Sequence, residues 1–132
     1  MLTLEVHHIG YLVKKMDAAI LSFKNLGYQV TQDTVYDDIR KVYICFVEKD
    51  GYCVELVSPA SEDSVVSGLL KKYKNSPYHI CYQTENFDAD YQALLSNGFI
   101  SIDTPTPAPA LQNRDVVFLT NASMGMIELL RK

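Results

Sequence analysis

Two histidines and two glutamates occupy matching places in the two halves of the chain. His8 lies in the segment VHHIGY and His79 in PYHICY, and each is followed by isoleucine and, two residues later, by tyrosine. Glu55 follows His8 by 47 residues (8 to 55), and Glu128 follows His79 by 49 residues (79 to 128). Imidazoles and carboxylates bind divalent metals and also move protons in many enzymes. The matching spacing therefore predicts one site that is built from all four side chains.

Both glutamates interrupt apolar runs that are typical of strands. Glu55 lies in YCVELVSP and Glu128 in GMIELLRK. A buried carboxylate is unfavourable unless a cation or a hydrogen bond compensates it, so two in equivalent positions favour one shared explanation. Two imidazoles with two carboxylates suit an octahedral divalent metal that keeps two positions for water or substrate. Nickel, cobalt, manganese and ferrous iron fit this set, and zinc also fits, although it more often has fewer ligands.

The four side chains belong to a longer internal repeat. With His8 set on His79, four further identities align in the same register: Ile9 with Ile80, Tyr11 with Tyr82, Asp17 with Asp88, and Gly27 with Gly98. Each half also gives the same order of predicted elements, one strand, one helix and three strands. We therefore predict an α+β fold in which a single domain, residues 1–132, contains two βαβββ modules at about 4–58 and 77–132.

Local signals indicate where the elements of the first module begin and end. We predict a strand at 4–13 and a helix at 17–26, with Asp17 as the N-cap and Gly27 as the stop. The Asp50-Gly51 pair predicts a tight turn between two later strands. In the second module the corresponding helix is expected over DADYQALLSN, which follows the first strand.

Two further segments lie outside this regular pattern. A linker helix at about 61–74 is predicted between the modules, and its proposed apolar side consists of Val65, Val66, Leu69, Leu70 and Tyr73. Residues 103–113 hold three of the five prolines, so we predict neither a strand nor a helix there. Such a segment either covers a binding site or serves as a plain surface connection.

Composition excludes several classes of protein. The chain has a formal charge of −4 at pH 7, and its twelve Lys and Arg are scattered except for KKYK at 71–74, so we expect no nucleic-acid partner and no anionic membrane surface. Cys45, Cys53 and Cys81 form no CxxC pair, which favours reduced thiols over a disulfide scaffold. The first residues lack the pattern of a signal peptide, and no apolar run is long enough for a membrane helix. We therefore expect a cytoplasmic protein.

The motifs HHIGYLV, YCVELVSP, SPYHICYQTEN and MGMIELL, in this order, resemble the vicinal oxygen chelate superfamily over essentially the whole chain. This superfamily includes glyoxalase I, methylmalonyl-CoA epimerase, extradiol dioxygenases, and fosfomycin and bleomycin resistance proteins. The resemblance implies that each βαβββ module forms a cupped mixed sheet and that His8, Glu55, His79 and Glu128 hold one divalent metal, with nickel or cobalt favoured. It also implies a homodimer.

Within the superfamily, the His, Glu, His, Glu set looks most like bacterial glyoxalase I, because epimerases usually have glutamine in place of Glu55. The main expectation is therefore a lyase that converts the hemithioacetal of a 2-oxoaldehyde and a thiol into a 2-hydroxyacyl thioester. The first alternative is an epimerase of the methylmalonyl-CoA type, and the second is a metal-free protein that binds a small molecule or drug.

Both enzymatic schemes begin with removal of a proton beside a carbonyl of a small thiol-linked substrate. By resemblance, Glu128 is the general base, and Glu55 is a metal ligand or the opposing acid. Arg40 and Arg114 occupy matching positions before strands, where they are candidates for binding a carboxylate or phosphate of the substrate. The stretch KKYK at 71–74 is a candidate for attracting a coenzyme A phosphate, although solvation of the linker helix explains it better. Ordinary surface roles for the two arginines are at least as well supported by the sequence.

Overall fold

The computed structural model describes residues 2–132 of the chain, with nine strands and three α-helices among them. The first half contains β1 (Glu5–Leu12), α1 (Met16–Asn25), β2 (Gln29–Asp37), β3 (Val42–Lys49), β4 (Tyr52–Pro59) and α2 (Ser67–Tyr73). The second half contains β5 (Ser76–Thr84), α3 (Phe87–Ser96), β6 (Ile100–Ser101), β7 (Thr106–Ala108), a 3₁₀ helix (Pro109–Leu111), β8 (Arg114–Asn121) and β9 (Gly125–Arg131). The predicted α+β class is confirmed.

The backbone divides into two compact units, which correspond closely to the two repeats. One unit is His8–Tyr78, and the other contains the described residues up to His7 together with His79–Lys132. That the chain forms a single domain stays a prediction. In each unit the first strand pairs in parallel with the last strand of its module, β1 with β4 and β5 with β9. Because each histidine is on the first strand of its module and each glutamate on the last, this pairing brings the two residue types close together in both units.

In the unit His8–Tyr78 the strands follow the order β2-β3-β4-β1. Strands β2, β3 and β4 form an antiparallel meander, and the turn between β3 and β4 has positive φ at both Asp50 and Gly51. This is the backbone that an Asp-Gly hairpin turn requires. The register between β2 and β3 shifts twice, between Val30 and Gln32 and between Gln32 and Val35.

Helix α1 covers one face of this unit's sheet. Its Met16 forms a buried cluster with Val13, which follows β1, and with the strand residues Cys45, Val47, Val54 and Leu56, and Ala19, Ile20 and Phe23 pack against this cluster. Because side chains alternate along a strand, residues of opposite parity on β1 and β4 face away from α1. His8 and Glu55 belong to that opposite set.

In the other unit the strands follow the order β5-β9-β8-β6, and β7 also pairs with β8. Helix α3 supplies Phe87 and Leu94 to a buried cluster with Val117, Leu119, Ile127 and Leu129. The strand residues of this cluster again have the parity opposite to Glu128. Each unit therefore packs its helix on one face of the sheet and leaves its histidine and glutamate on the other.

Several predicted boundaries are wrong for identifiable reasons. Helix α1 begins at Met16, and its N-cap is Lys15, which makes no side-chain capping bond, so Asp17 lies in the first turn instead. There its carboxylate still interacts favourably with the helix dipole. Gly27 does end the helix region, with φ of 98°.

The linker helix is shorter than predicted. Only Ser67–Tyr73 is helical, because Ser64 and Val65 instead donate hydrogen bonds to the carbonyl oxygen of Arg40. The expected apolar side is also wrong, since Val66 is buried whereas the side chains of Val65 and Tyr73 are exposed.

Residues 103–113 are more regular than the prolines suggested. Thr106–Ala108 pairs with β8, and Pro109–Leu111 forms a 3₁₀ helix in which Ala110 and Leu111 are buried. Pro107 is tolerated because β7 is a three-residue strand that pairs only with β8 among the described residues. The prediction of neither a strand nor a helix was therefore wrong here.

All three cysteines are free thiols, as predicted, and Cys45 and Cys81 are buried. In the described part of the chain, the structure contains no helix that is long and apolar enough to cross a membrane.

Candidate metal centre

The first His–Glu pair lies on neighbouring parallel strands. In the register of β1 and β4, Gly10 is the partner of Glu55, and Gly10 shares its face of the strand with His8. His8 Nε2 and Glu55 Oε1 are 3.4 Å apart, and only 1% and 4% of these residues are exposed. The backbone thus places an imidazole and a carboxylate side by side within the interior.

The second pair repeats this arrangement on β5 and β9. Cys81 is the register partner of Glu128 and lies on the same face as His79. His79 Nε2 and Glu128 Oε1 are 3.1 Å apart, and both residues are buried. The two pairs differ in the residue opposite the glutamate, which is Gly10 in the first unit and Cys81, with a buried thiol, in the second.

Each pair also contacts a phenylalanine that the sequence analysis did not select. Phe46 is the cross-strand partner of Glu55, and its ring meets His8 edge to face with centroids 5.4 Å apart. Phe118 is the partner of Glu128 and meets His79 in the same way at 5.1 Å. The signal was available, because Phe46 and Phe118 lie in the same repeat as the histidines and glutamates.

The geometry within each pair suits ligands of a metal ion. Two ligands at right angles, each about 2.1 Å from a metal, lie about 3 Å from each other. The Nε2 to Oε1 distances of 3.4 Å and 3.1 Å are close to this value. A buried carboxylate beside an imidazole, repeated in both units, is also the environment in which a cation compensates charge that water cannot reach.

The side chains of the two arginines proposed for substrate binding contact residues close to them in the sequence. Arg40 forms an ion pair with the buried Asp37, with 2.9 Å between Nη1 and Oδ2. Asp37 Oδ1 also accepts hydrogen bonds from the backbone N–H groups of Ile39 and Arg40. Arg114 Nε donates to the carbonyl oxygen of Leu111 at 3.0 Å. These contacts hold two loops, and a role of either residue in binding substrate stays a prediction.

A βαβββ unit that is repeated with one additional short strand, β7, and with a buried imidazole and carboxylate in each copy, defines a recognisable class of protein. The chain belongs to the Glyoxalase/Bleomycin resistance protein/Dioxygenase superfamily, whose family model matches residues 7–118. The superfamily membership expected from the sequence is thereby confirmed.

More particular similarities point to one branch of the superfamily. The chain is 27% identical to human mitochondrial methylmalonyl-CoA epimerase over 128 residues, which cover 94% of this chain and 72% of that protein. It is also 27% identical to the ethylmalonyl-CoA/methylmalonyl-CoA epimerase of Cereibacter sphaeroides over 116 residues, 86% of each chain. The structure of Streptomyces coelicolor methylmalonyl-CoA epimerase in complex with 2-nitronate-propionyl-CoA shares the fold, with a TM-score of 0.83, 23% identity, and coverage of 98% of this chain and 96% of that one.

These relatives correct the main functional expectation. They are epimerases and not glyoxalases, so the prediction of a glyoxalase I-like lyase acting on a hemithioacetal is wrong. The error has a chemical cause, since both activities begin with removal of a proton beside a carbonyl and use similar ligands. Glu55 was the residue that favoured glyoxalase I over an epimerase in the sequence-based prediction.

Proposed function

We propose that this protein is a metal-dependent epimerase that inverts the carbon beside the carbonyl of an acyl-coenzyme A thioester. The observation that carries the proposal is the buried His–Glu pair that occurs once in each unit, His8 with Glu55 and His79 with Glu128. The epimerase relatives support the isomerase chemistry and a coenzyme A thioester as the substrate class.

We further propose that the two pairs together supply the protein ligands of one divalent metal. Nickel or cobalt is favoured, and manganese, iron or zinc would also accept two imidazoles and two carboxylates. When bound, such an ion supplies Lewis acidity that withdraws charge from the thioester carbonyl and acidifies the neighbouring C–H bond.

The carboxylates of the chain then move the proton. In this proposal Glu128 accepts the proton from the carbon, and the electrons of the broken C–H bond pass into the enolate of the thioester. Inversion requires that a proton return to the opposite face of that carbon. Glu55 is either the acid that returns it or a ligand that holds the site together, and these two roles give different results on substitution.

The test uses one enantiomer of methylmalonyl-CoA in D₂O with the protein loaded with cobalt. The proposal predicts deuterium at the carbon beside the carbonyl, detected by mass spectrometry, together with loss of optical purity. The hemithioacetal of methylglyoxal and glutathione serves as a comparison substrate, for which no turnover is expected.

The same assay is run on Glu128→Gln, which removes the proposed base and should greatly slow exchange. Glu48→Gln is the matched control, because Glu48 is an exposed glutamate on β3 that undergoes the same chemical change. If neither exchange nor inversion occurs in the metal-loaded protein, the epimerase proposal is rejected. Tight binding of the thioester without proton exchange would instead favour the alternative of a binding protein. Sedimentation velocity on the same sample tests the expected homodimer.

A further inference from the structure

A basic pocket lies at the end of the parallel strands that carry the first His–Glu pair. It has a volume of about 730 Å³, and its lining includes Lys14, Pro59, Lys71, Lys74 and Asn75. We propose that this pocket binds the phosphorylated end of the thiol carrier of the substrate. This inference rests on the proposed function, because it names the part of a coenzyme A thioester that the pocket would recognise.

The charged residues around the pocket are mainly positive, whereas the whole chain is negative. The protein carries a formal charge of −4, yet three lysines are among the residues that line the pocket, with Glu62 as the one acidic residue. Within residues 2–132, none of the three lysines is part of an ion pair. The neighbouring Asp63 does not neutralise them, since Lys41 holds it and lowers the pKa of its carboxyl. An anion would therefore be the natural counter-charge.

The backbone around these lysines is fixed in an unusual way. Lys74 caps the C-terminus of α2 with φ of 61° and ψ of −164°, a region that is essentially confined to glycine. Its N–H group donates to the carbonyl oxygen of Leu70 at 2.8 Å. Asn75 then accepts a hydrogen bond on Oδ1 from the N–H group of Lys14, at 2.9 Å. These contacts fix the backbone of Lys14 and Lys74 at the pocket, so that both lysines start from defined positions.

The position of the pocket matches the length of an extended carrier. Pro59 follows Glu55 by four residues along β4, which corresponds to about 13 Å at the usual strand rise. Lys14 follows His8 by six residues, or about 20 Å if the chain continues extended past the end of β1. In coenzyme A the pantetheine arm separates the thiol from the phosphates by a distance of this order. The reactive thioester can thus lie near the ligands while the phosphates reach the lysines.

The decisive experiment compares two substrates in two proteins. The variant combines Lys71→Ala with Lys74→Gly, because glycine removes the ammonium group and relieves the backbone strain, so that folding is retained. The substrates are methylmalonyl-CoA and methylmalonyl-pantetheine, which has the same reactive end and no phosphate. We expect the ratio of kcat/KM for the first substrate over the second to fall about tenfold or more, as for loss of charge-assisted contacts. An unchanged ratio overturns the proposal.

Two controls separate this inference from the proposed function. Lys72→Ala removes a lysine of the same helix whose ammonium group lies over the ring of Tyr73 and does not line the pocket, so the ratio should not change. Titration calorimetry with adenosine 3′,5′-bisphosphate, compared with inorganic phosphate, measures binding without turnover. Weaker binding of the bisphosphate to the double variant supports the pocket even if no epimerase activity is found, whereas equal affinity for wild type and variant counts against it. Saturation by inorganic phosphate alone, at the same affinity as the bisphosphate, would show a simple phosphate site and reject the carrier.

Discussion

Phe118 lies directly opposite Glu128 on the antiparallel strands β8 and β9, and the same ring packs edge-on against His79. One phenylalanine is therefore the cross-strand neighbour of the glutamate and packs its ring on the histidine of the same buried pair. The first unit has the same relationship between Phe46, Glu55 and His8. Because a ligand holds its metal best when neighbouring groups fix its orientation, these rings are expected to set the geometry of both pairs.

Substitution of Phe118 by leucine tests this role. We expect the affinity for cobalt to fall by about tenfold or more, the range found when groups that orient metal ligands are removed. Phe99→Leu is the matched control, because Phe99 packs on the core of the same unit without contacting either ligand in the structure. Competition with a metal-binding dye measures both affinities. An equal loss of cobalt affinity in the two variants would show that Phe118 contributes only core packing.

Metal binding should stabilise the folded protein and should require both pairs. At a cobalt concentration a hundred times the dissociation constant, the gain is about 2.7 kcal/mol, which raises Tm by several degrees in a domain of this size. His8→Ala and His79→Ala should each abolish most of this shift in differential scanning calorimetry. If each variant kept half of the bound metal by elemental analysis, the pairs would hold separate ions and the proposal of one shared site would be wrong.

The two glutamates should give different products when each is replaced by glutamine. Glu128→Gln should lower deuterium exchange by 10²- to 10⁴-fold, the usual contribution of a positioned acid or base. If Glu55 returns the proton, Glu55→Gln retains exchange but loses inversion. If it is only a ligand, exchange and inversion fall together and excess metal partly restores both. Mass spectrometry and chiral chromatography of the same reaction separate these cases.

Asp37 should contribute strongly to stability without any part in the chemistry. Its carboxylate is 1% exposed and accepts hydrogen bonds from Arg40 and from two backbone N–H groups. Asp37→Ala should destabilise the protein by about 3 kcal/mol, since it leaves a poorly exposed guanidinium without its partner. Asp33→Ala, at an exposed site on β2, is the control and should change little. Urea denaturation compares both variants, and an effect below that of the control would contradict the assignment.

The thiol of Cys53 should react slowly although it is only partly buried. Burial raises the pKa of this thiol above its usual value, so the reactive thiolate is scarcer at any given pH below that pKa. Alkylation by iodoacetamide at pH 8 should therefore be much slower than for free glutathione. The rate should rise in denaturant, where the pKa returns to normal. Mass spectrometry of the labelled peptides follows the reaction, and rapid labelling of the native protein would contradict the burial of this side chain.

The sequence predicted the two His–Glu pairs because the repeat places a histidine and a glutamate at matching positions in both halves of the chain. His8 and His79 share a phrase, and the pleat then places each histidine on the same face as its glutamate once the first and last strands pair. The beginning of α2 was not predictable in this way. It depends on Ser64 and Val65 finding the carbonyl oxygen of Arg40, a contact between distant parts of the chain that no local propensity encodes.

The chemistry of the substrate was harder to predict than the site. Two buried carboxylates suit proton removal from either kind of carbonyl substrate, so the residue types alone do not separate a glyoxalase from an epimerase. The lysine pocket was predicted only in part, because KKYK contains Lys71 and Lys74, whereas Lys14 lies just after β1 and was not selected. Only the folded chain brings these cations to one place.

Strand β2 ends the strand order of its unit, and its register against β3 shifts twice within a few residues. Such irregularities prevent the strand from presenting an even ladder of free backbone groups to another molecule. The same strand alternates exposed polar residues, among them Gln29, Thr31 and Asp33, along its length. The irregular, polar β2 therefore disfavours edge-to-edge aggregation of this unit. Substitutions that made the register of β2 regular would expose an even strand edge on which fibrils can nucleate.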